Sequence, residues 1–357
     1  MTNKTIKANK GEWAELFVFL KALADGKIYG ADENLNKIES IFYLILSAIK
    51  TESNTLKEYN RDENNNKIIL KENGIVSAEI AINSFRKFSQ LLLNKIQNGK
   101  GTFEIPEIKK FLSQIHLEKI KASSSSKKDI VFEIHDIFTG TNPKIGFSIK
   151  SYIGSNPTLL NASKATIVQY KLSKNISEKE IEEINSINSK SKIKDRVQKL
   201  ADRNINLEFH KILNDTFNKN LQMIDSRMPE ILSYLYLCSY SVEGKSISSV
   251  VDLYCNRYNE DREFIIHKVK DLLVAIALGM EPNTKWTGIE DANGGYIVVK
   301  DNGELLCYHI YDRNKLRNYL FKHTKFDSPS SKRTGAGIIN IDKNGNQIFN
   351  LTVQIRF

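Results

Sequence analysis

Two short runs constrain this chain more than any other feature: DIVFEIHD at 129–136 and IGFSIKS at 145–151. In the first, Ile130, Phe132 and Ile134 alternate with Asp129, Val131 and Glu133. In the second, Ile145, Phe147 and Ile149 alternate with Gly146, Ser148 and Lys150. A period of two is the mark of a strand with two unlike faces. TGTNPK between them is turn chemistry. Pairing the strands places Asp129 near Lys150, on the face away from the apolar side chains. A carboxylate and an amine so placed suit metal-dependent phosphodiester hydrolysis. The acid holds a hard cation such as Mg2+. The cation polarises the phosphate and acidifies a bound water. The amine orients that water and offsets developing charge.

Aspartate, strand, turn, then a strand ending in x-x-Lys resembles the PD-(D/E)xK nuclease core. That pattern has an acid two positions before the lysine, and here it is Ser148. The longer string GFSIKSYIGSNPTLLNAS resembles the HpaII-type restriction endonucleases, in which a serine replaces that acid. KGEWAELFVFLKALADGKIYGADENLNKI near the start and LTVQIRF at the end fit the same family. The resemblance implies a type II restriction endonuclease using Mg2+ to cut duplex CCGG after the first C, with a cognate DNA methyltransferase as functional partner. A short palindrome suits a symmetric homodimer, and a monomer is also compatible.

With Ser148 unable to supply negative charge, a second acid is needed. PD-(D/E)xK enzymes often take one from a helix, and the G-x-x-x-E start from Gly11 to Glu15 resembles that device. The expected metal ligands are therefore Asp129, Glu15 and the carbonyl of Ile149. Lys150 would position the attacking water, and Ser148 would bond a water or a phosphate oxygen. A surface ion pair is the competing reading of Glu15. Glu12 is accounted for as the partner of an Asn9 N-cap. Glu133 and Asp136 are rival ligands, but Glu133 lies about 7 Å further along its strand.

The formal charge of +10 is carried mainly by dispersed lysines. Such a balance favours polyanions, because neutralised phosphates release counterions; a membrane surface or plain solubility explains it too. Cys238, Cys255 and Cys307 form no CxxC pair, which argues against a zinc ribbon and for a reducing cytoplasm. MTNKTIKANKGEW lacks the apolar core of a signal peptide. The best apolar run, LLVAIALGM, is too short to span a bilayer.

The expected fold class is α/β: a mixed sheet flanked by helices, a helical middle region and a β-hairpin-rich C-terminal region. Residues 1–175 would form a nuclease core with N-terminal helices, 176–280 a helical region, and 281–357 a β-rich region for DNA recognition. Helices are expected over 9–25, 34–50, 77–97 and near 106–112, with 51–74 a polar loop or small appendage. Further helices are expected at 205–224, 229–240, 246–257 and 262–278. Asn302-Gly303 and Asn344-Gly345 each signal a hairpin. Between those hairpins lies FDSPSSKRTGAG. Arg333 on this loop is the first candidate for reading guanine, followed by Lys332, Lys325 and Arg313. A solvated loop touching only phosphate is the competing reading. Asn161, Ser163 and Lys164 suit phosphate contacts, or equally a turn and helix cap.

Other chemistries lack their residues. Glu-Gly-Lys-Ser at 243–246 has Ser239 where a P-loop needs glycine. No HExxH or G-x-S-x-G occurs. The six histidines show no ligand spacing, and no methyltransferase motif is present. Two alternatives stay open: a catalytically dead DNA-binding module, and a nuclease of RNA or structured DNA.

Overall fold

The computed structural model describes residues 6–120, 127–137, 139–329 and 335–357. The fold is mixed α and β. Two compact units emerge: residues 1–157 with 277–279 and 290–319, and residues 158–276 with 280–289 and 320–357.

The first unit is built on a nine-stranded sheet. Its order is Lys27–Ala31, Leu305–His309, Gly295–Val299, Lys144–Ser151, Ile130–His135, Lys37–Glu52, Thr55–Asp62, Lys67–Glu72 and Ile75–Ala81. Lys27–Ala31 also pairs with Lys37–Glu52, so the first six strands close on themselves. The helix Lys10–Asp25 packs on the inner face, burying Trp13, Leu16, Phe17 and Leu20. Its start is the expected capping box: the Asn9 side chain accepts from Glu12 N at 3.1 Å, and Glu12 Oε2 accepts from Asn9 N at 2.9 Å. It ends at Gly26 in the left-handed region, φ 73°.

The expectation of helix at 34–50 is corrected. Lys37–Glu52 is a 16-residue strand. Ile38, Ile41, Phe42, Ile45 and Leu46 do recur at helical spacing. The run is also dense in isoleucine and aromatics, which lose rotamer freedom in a helix and pack well on a pleated surface. The polar loop at 51–74 is corrected too: it holds the strands Thr55–Asp62 and Lys67–Glu72. Ser53 and Asn54 turn the first hairpin with φ of 48° and 67°; Asn73 and Gly74 turn the last with 48° and 84°. Both are the positive-φ pairs that match strand twist. The helix expected from 77 begins only at Ile82, after the strand Ile75–Ala81. The N-terminal part is therefore rich in strands rather than mainly helical.

The second unit carries the helices Met228–Cys238 and Ile247–Tyr258 and most of Arg262–Leu278, close to expectation. The helix expected over 205–224 is corrected in its first half, where Leu207–Ile212 is a strand. A four-stranded sheet runs Leu207–Ile212, Ile167–Leu172, Gln347–Thr352, Ile339–Ile341. Both Asn-Gly hairpins form, with Gly303 at φ 86° and Gly345 at 78°. They do not share one region. Gly295–Val299 and Leu305–His309 sit in the sheet of the first unit, whereas the hairpin around Gly345 lies in the second.

Candidate active site

The acid strand Ile130–His135 and the lysine strand Lys144–Ser151 are antiparallel neighbours, with Ile130 opposite Phe147. One step outward, Asp129 faces Ser148. Ile130, Phe132 and Ile134 are buried in the core with the first helix, while Val131, Glu133 and His135 are only half-buried. Side chains alternate across a sheet, so Asp129, Ser148 and Lys150 share the opposite face. Asp129 N donates to Phe147 O at 2.8 Å, which extends the pairing by one residue.

The Asp129 carboxylate is held by its neighbours. Ile149 N donates to Oδ2 at 2.6 Å, and Ser148 Oγ makes a longer 3.4 Å contact with the same oxygen. Ser148 is only 2% exposed. Burial raises the carboxyl above its usual range. The Ile149 N–H, the Lys150 and Lys127 charges and the Ser148 hydroxyl oppose that rise without cancelling it. The Lys150 charge thus acts on the Asp129 carboxylate, as the strand register requires.

A strap formed by residues 291–294 crosses beside this end of the lysine strand. Asn293 Oδ1 accepts from Gly146 N at 2.9 Å, and Gly294 N donates to Gly146 O at 2.7 Å. A Cβ on Gly146 would lie 3.2 Å from Asp291 O and 3.0 Å from the Lys128 side chain. Glycine is there because the strap's backbone comes so close.

The remaining expected residues are dispersed. Glu15 is half-buried on the first helix, and its charge acts on Lys50 of the strand Lys37–Glu52. Burial lowers the Lys50 ammonium, opposed by Glu52 and Glu15. Sequence reasoning missed Lys50 because its strand was read as a helix. Glu133 accepts from Ser47 Oγ at 3.0 Å, and Asp136 accepts from Tyr311 Oη at 2.5 Å. Arg313 pairs with Glu290 in the first unit. Asn161, Ser163, Lys164 and Lys325 lie in the second unit. Ser163 caps the short helix Lys164–Thr166, accepting from Ala165 N at 3.2 Å. Lys325 is exposed on a strand paired with Gln354–Arg356. Lys332 and Arg333 lie outside the described residues.

Sequence reasoning also missed Tyr296. It pairs in register with Ser148 across a parallel contact between Gly295–Val299 and the lysine strand, where Val298 pairs with Lys150. No local signal announces a parallel partner 148 positions away.

Among the described residues, no group of three or more His, Cys, Asp or Glu side chains is placed to hold a metal ion. Beside the Asp129 carboxylate stands one further side-chain oxygen, the Ser148 hydroxyl. Magnesium keeps much of its own water and takes only one or two protein carboxylates, with substrate phosphate completing its shell. Such a sparse oxygen set fits magnesium and poorly fits zinc, which prefers histidine and thiolate. Among the described residues no helix is long and apolar enough to cross a membrane.

Comparisons with known proteins place the chain in a family. The sequence profile of the HpaII restriction endonuclease family matches residues 9–357. The type II restriction enzyme HpaII of Haemophilus parainfluenzae is 42% identical over 98% of each chain. No solved structure matches. A match over nearly every residue means that the chain belongs to the HpaII restriction endonuclease family of type II restriction enzymes.

Proposed function

We propose that this restriction endonuclease cuts duplex DNA at CCGG, after the first C, using Mg2+ at a PD-(D/E)xK-like centre. The observation that carries the reading is the pairing of Asp129 and Lys150 on one face of adjoining strands, with Asp129 oriented by the Ile149 N–H at 2.6 Å. Asp129 and the Ile149 carbonyl are the proposed ligands. Glu15, expected as the second acid from the family resemblance, sits on the helix packed against the other face of the sheet and acts on Lys50, so it is not part of this proposal. When bound, the ion would polarise the scissile phosphate and stabilise charge on its oxygens.

The chain's own groups do the rest. Lys150 orients the attacking water and offsets charge gathering on the phosphate. The Ser148 hydroxyl supports Asp129. The Ile149 N–H fixes which carboxylate oxygen turns towards the backbone and which is left for a ligand. Base readout is assigned to Arg333 and Lys332, with Lys325 supporting. Arg313 is the weakest candidate because Glu290 engages it. The target's two-fold symmetry suits a homodimer. The proposed setting is the cytoplasm, beside a methyltransferase that protects host DNA.

One unmodified plasmid incubated with magnesium tests this. Discrete bands whose sequenced ends carry a two-base 5′ CG overhang are expected. A smear, or ends at another sequence, would overturn the specificity. Intact plasmid bound by the protein would mean a binding module instead.

A further inference from the structure

Five tyrosines gather on the outer face of the first unit's sheet or against it: Tyr152, Tyr296, Tyr308, Tyr311 and Tyr319. Four have hydroxyl partners. Tyr152 and Tyr319 share a bond at 2.8 Å, Tyr308 donates to Asp32 O at 2.7 Å, and Tyr311 donates to Asp136. Tyr296 differs. It is 0% exposed, and its hydroxyl has no hydrogen-bond partner among the described residues. It pairs in register with Ser148, and the Asp129 carboxylate lies within its electrostatic reach. A phenylalanine would fill the same space without burying an unsatisfied hydroxyl. A buried polar atom in this position calls for a water or an ion.

We propose that Tyr296 is a positioning residue of the metal centre: its hydroxyl bonds a water shared with the Asp129 carboxylate and so fixes that carboxylate for a divalent cation. The inference rests on the proposed site at Asp129. Tyr296 then supports, through water, the place where the related nuclease pattern has an acid and this chain has Ser148. Groups that orient metal ligands typically matter to affinity by ten- to a hundredfold when removed.

Calorimetric titration with manganese(II), without DNA, tests this on the full chain and on two variants. Asp129→Asn should lose binding, and Tyr296→Phe should weaken it by about tenfold or more. Unchanged binding in Asp129→Asn would overturn the site itself. Loss in Asp129→Asn with less than about a twofold change in Tyr296→Phe would overturn only the role of Tyr296. Melting in EDTA separates metal support from folding. Tyr296→Phe should melt close to the parent, because the hydroxyl it removes bonds a water and no group of the fold. A clear drop would mean that the hydroxyl serves the fold, and would also overturn the proposal.

Discussion

Glu52→Gln is the substitution whose cost follows most directly from the structure. Glu52 ends the long strand Lys37–Glu52, and Lys57 lies on the next. Their side chains are each 5% exposed and meet at 2.8 Å. Glu52 Oε2 also accepts from Glu118 N at 3.1 Å, and Oε1 from Lys119 N at 2.9 Å. Burial pushes this carboxyl up, but Lys57 and the two backbone N–H groups outweigh burial and leave it lowered. Glutamine keeps the shape and loses the charge. Its amide nitrogen must also face a donor, so one buried N–H is orphaned. Removing one member of a buried ion pair costs about 3–5 kcal/mol, because the partner stays buried and uncompensated. Here Lys57 keeps the His116 carbonyl, and Glu72 stands at 4.0 Å. The lower end, about 3 kcal/mol, is therefore expected. At roughly 2–4 °C per kcal/mol for a unit of this size, the transition should fall by about 6–12 °C. Circular dichroism melts at neutral pH would measure it. Adding Lys57→Met removes the stranded charge, and most of the loss should return. A Glu52→Gln melt within about 2 °C of the parent, or a double variant as unstable as the two singles summed, would refute the reasoning.

Lys150→Ala should slow cutting by at least about a hundredfold in magnesium while duplex affinity in calcium changes little; unimpaired cutting would remove the lysine from the mechanism. Gly146→Ala forces a Cβ to 3.2 Å from Asp291 O, and the strap's backbone cannot easily yield. A loss of about 1–3 kcal/mol in denaturant unfolding is expected, and an unchanged midpoint would show that the strap is loose. His309 is buried, and its Nε2 has no partner among the described residues. Burial lowers its pKa below 6.5, opposed by Asp136 and Asp312. The unfolded chain then binds the proton first, so this contribution to stability is present above 6.5 and is lost as pH falls below it. Melts across that range should flatten in His309→Gln; an equal slope in the variant would place the pH dependence elsewhere.

The capping box at Asn9, the alternation around Asp129 and Lys150, and the Asn-Gly turns were legible because each is a local pattern whose cause lies within a few residues. The same locality explains the error at 34–50. A dense apolar run satisfies helical and strand spacing at once, and only its neighbours decide. The long strand forms because it has Ile130–His135 on one side and Thr55–Asp62 on the other.

The sequence by itself determined the family, and it set one aspartate, a serine and one lysine on two adjoining strands. Tertiary structure alone decided what surrounds them. It brought Gly295–Val299 into parallel register beside the lysine strand, set Tyr296 against Ser148, laid the 291–294 strap over Gly146, and put Lys50 within reach of Glu15. Parallel pairing and helix-to-strand packing join residues far apart along the chain. Their register depends on the burial of the whole sheet, which no short run of residues encodes.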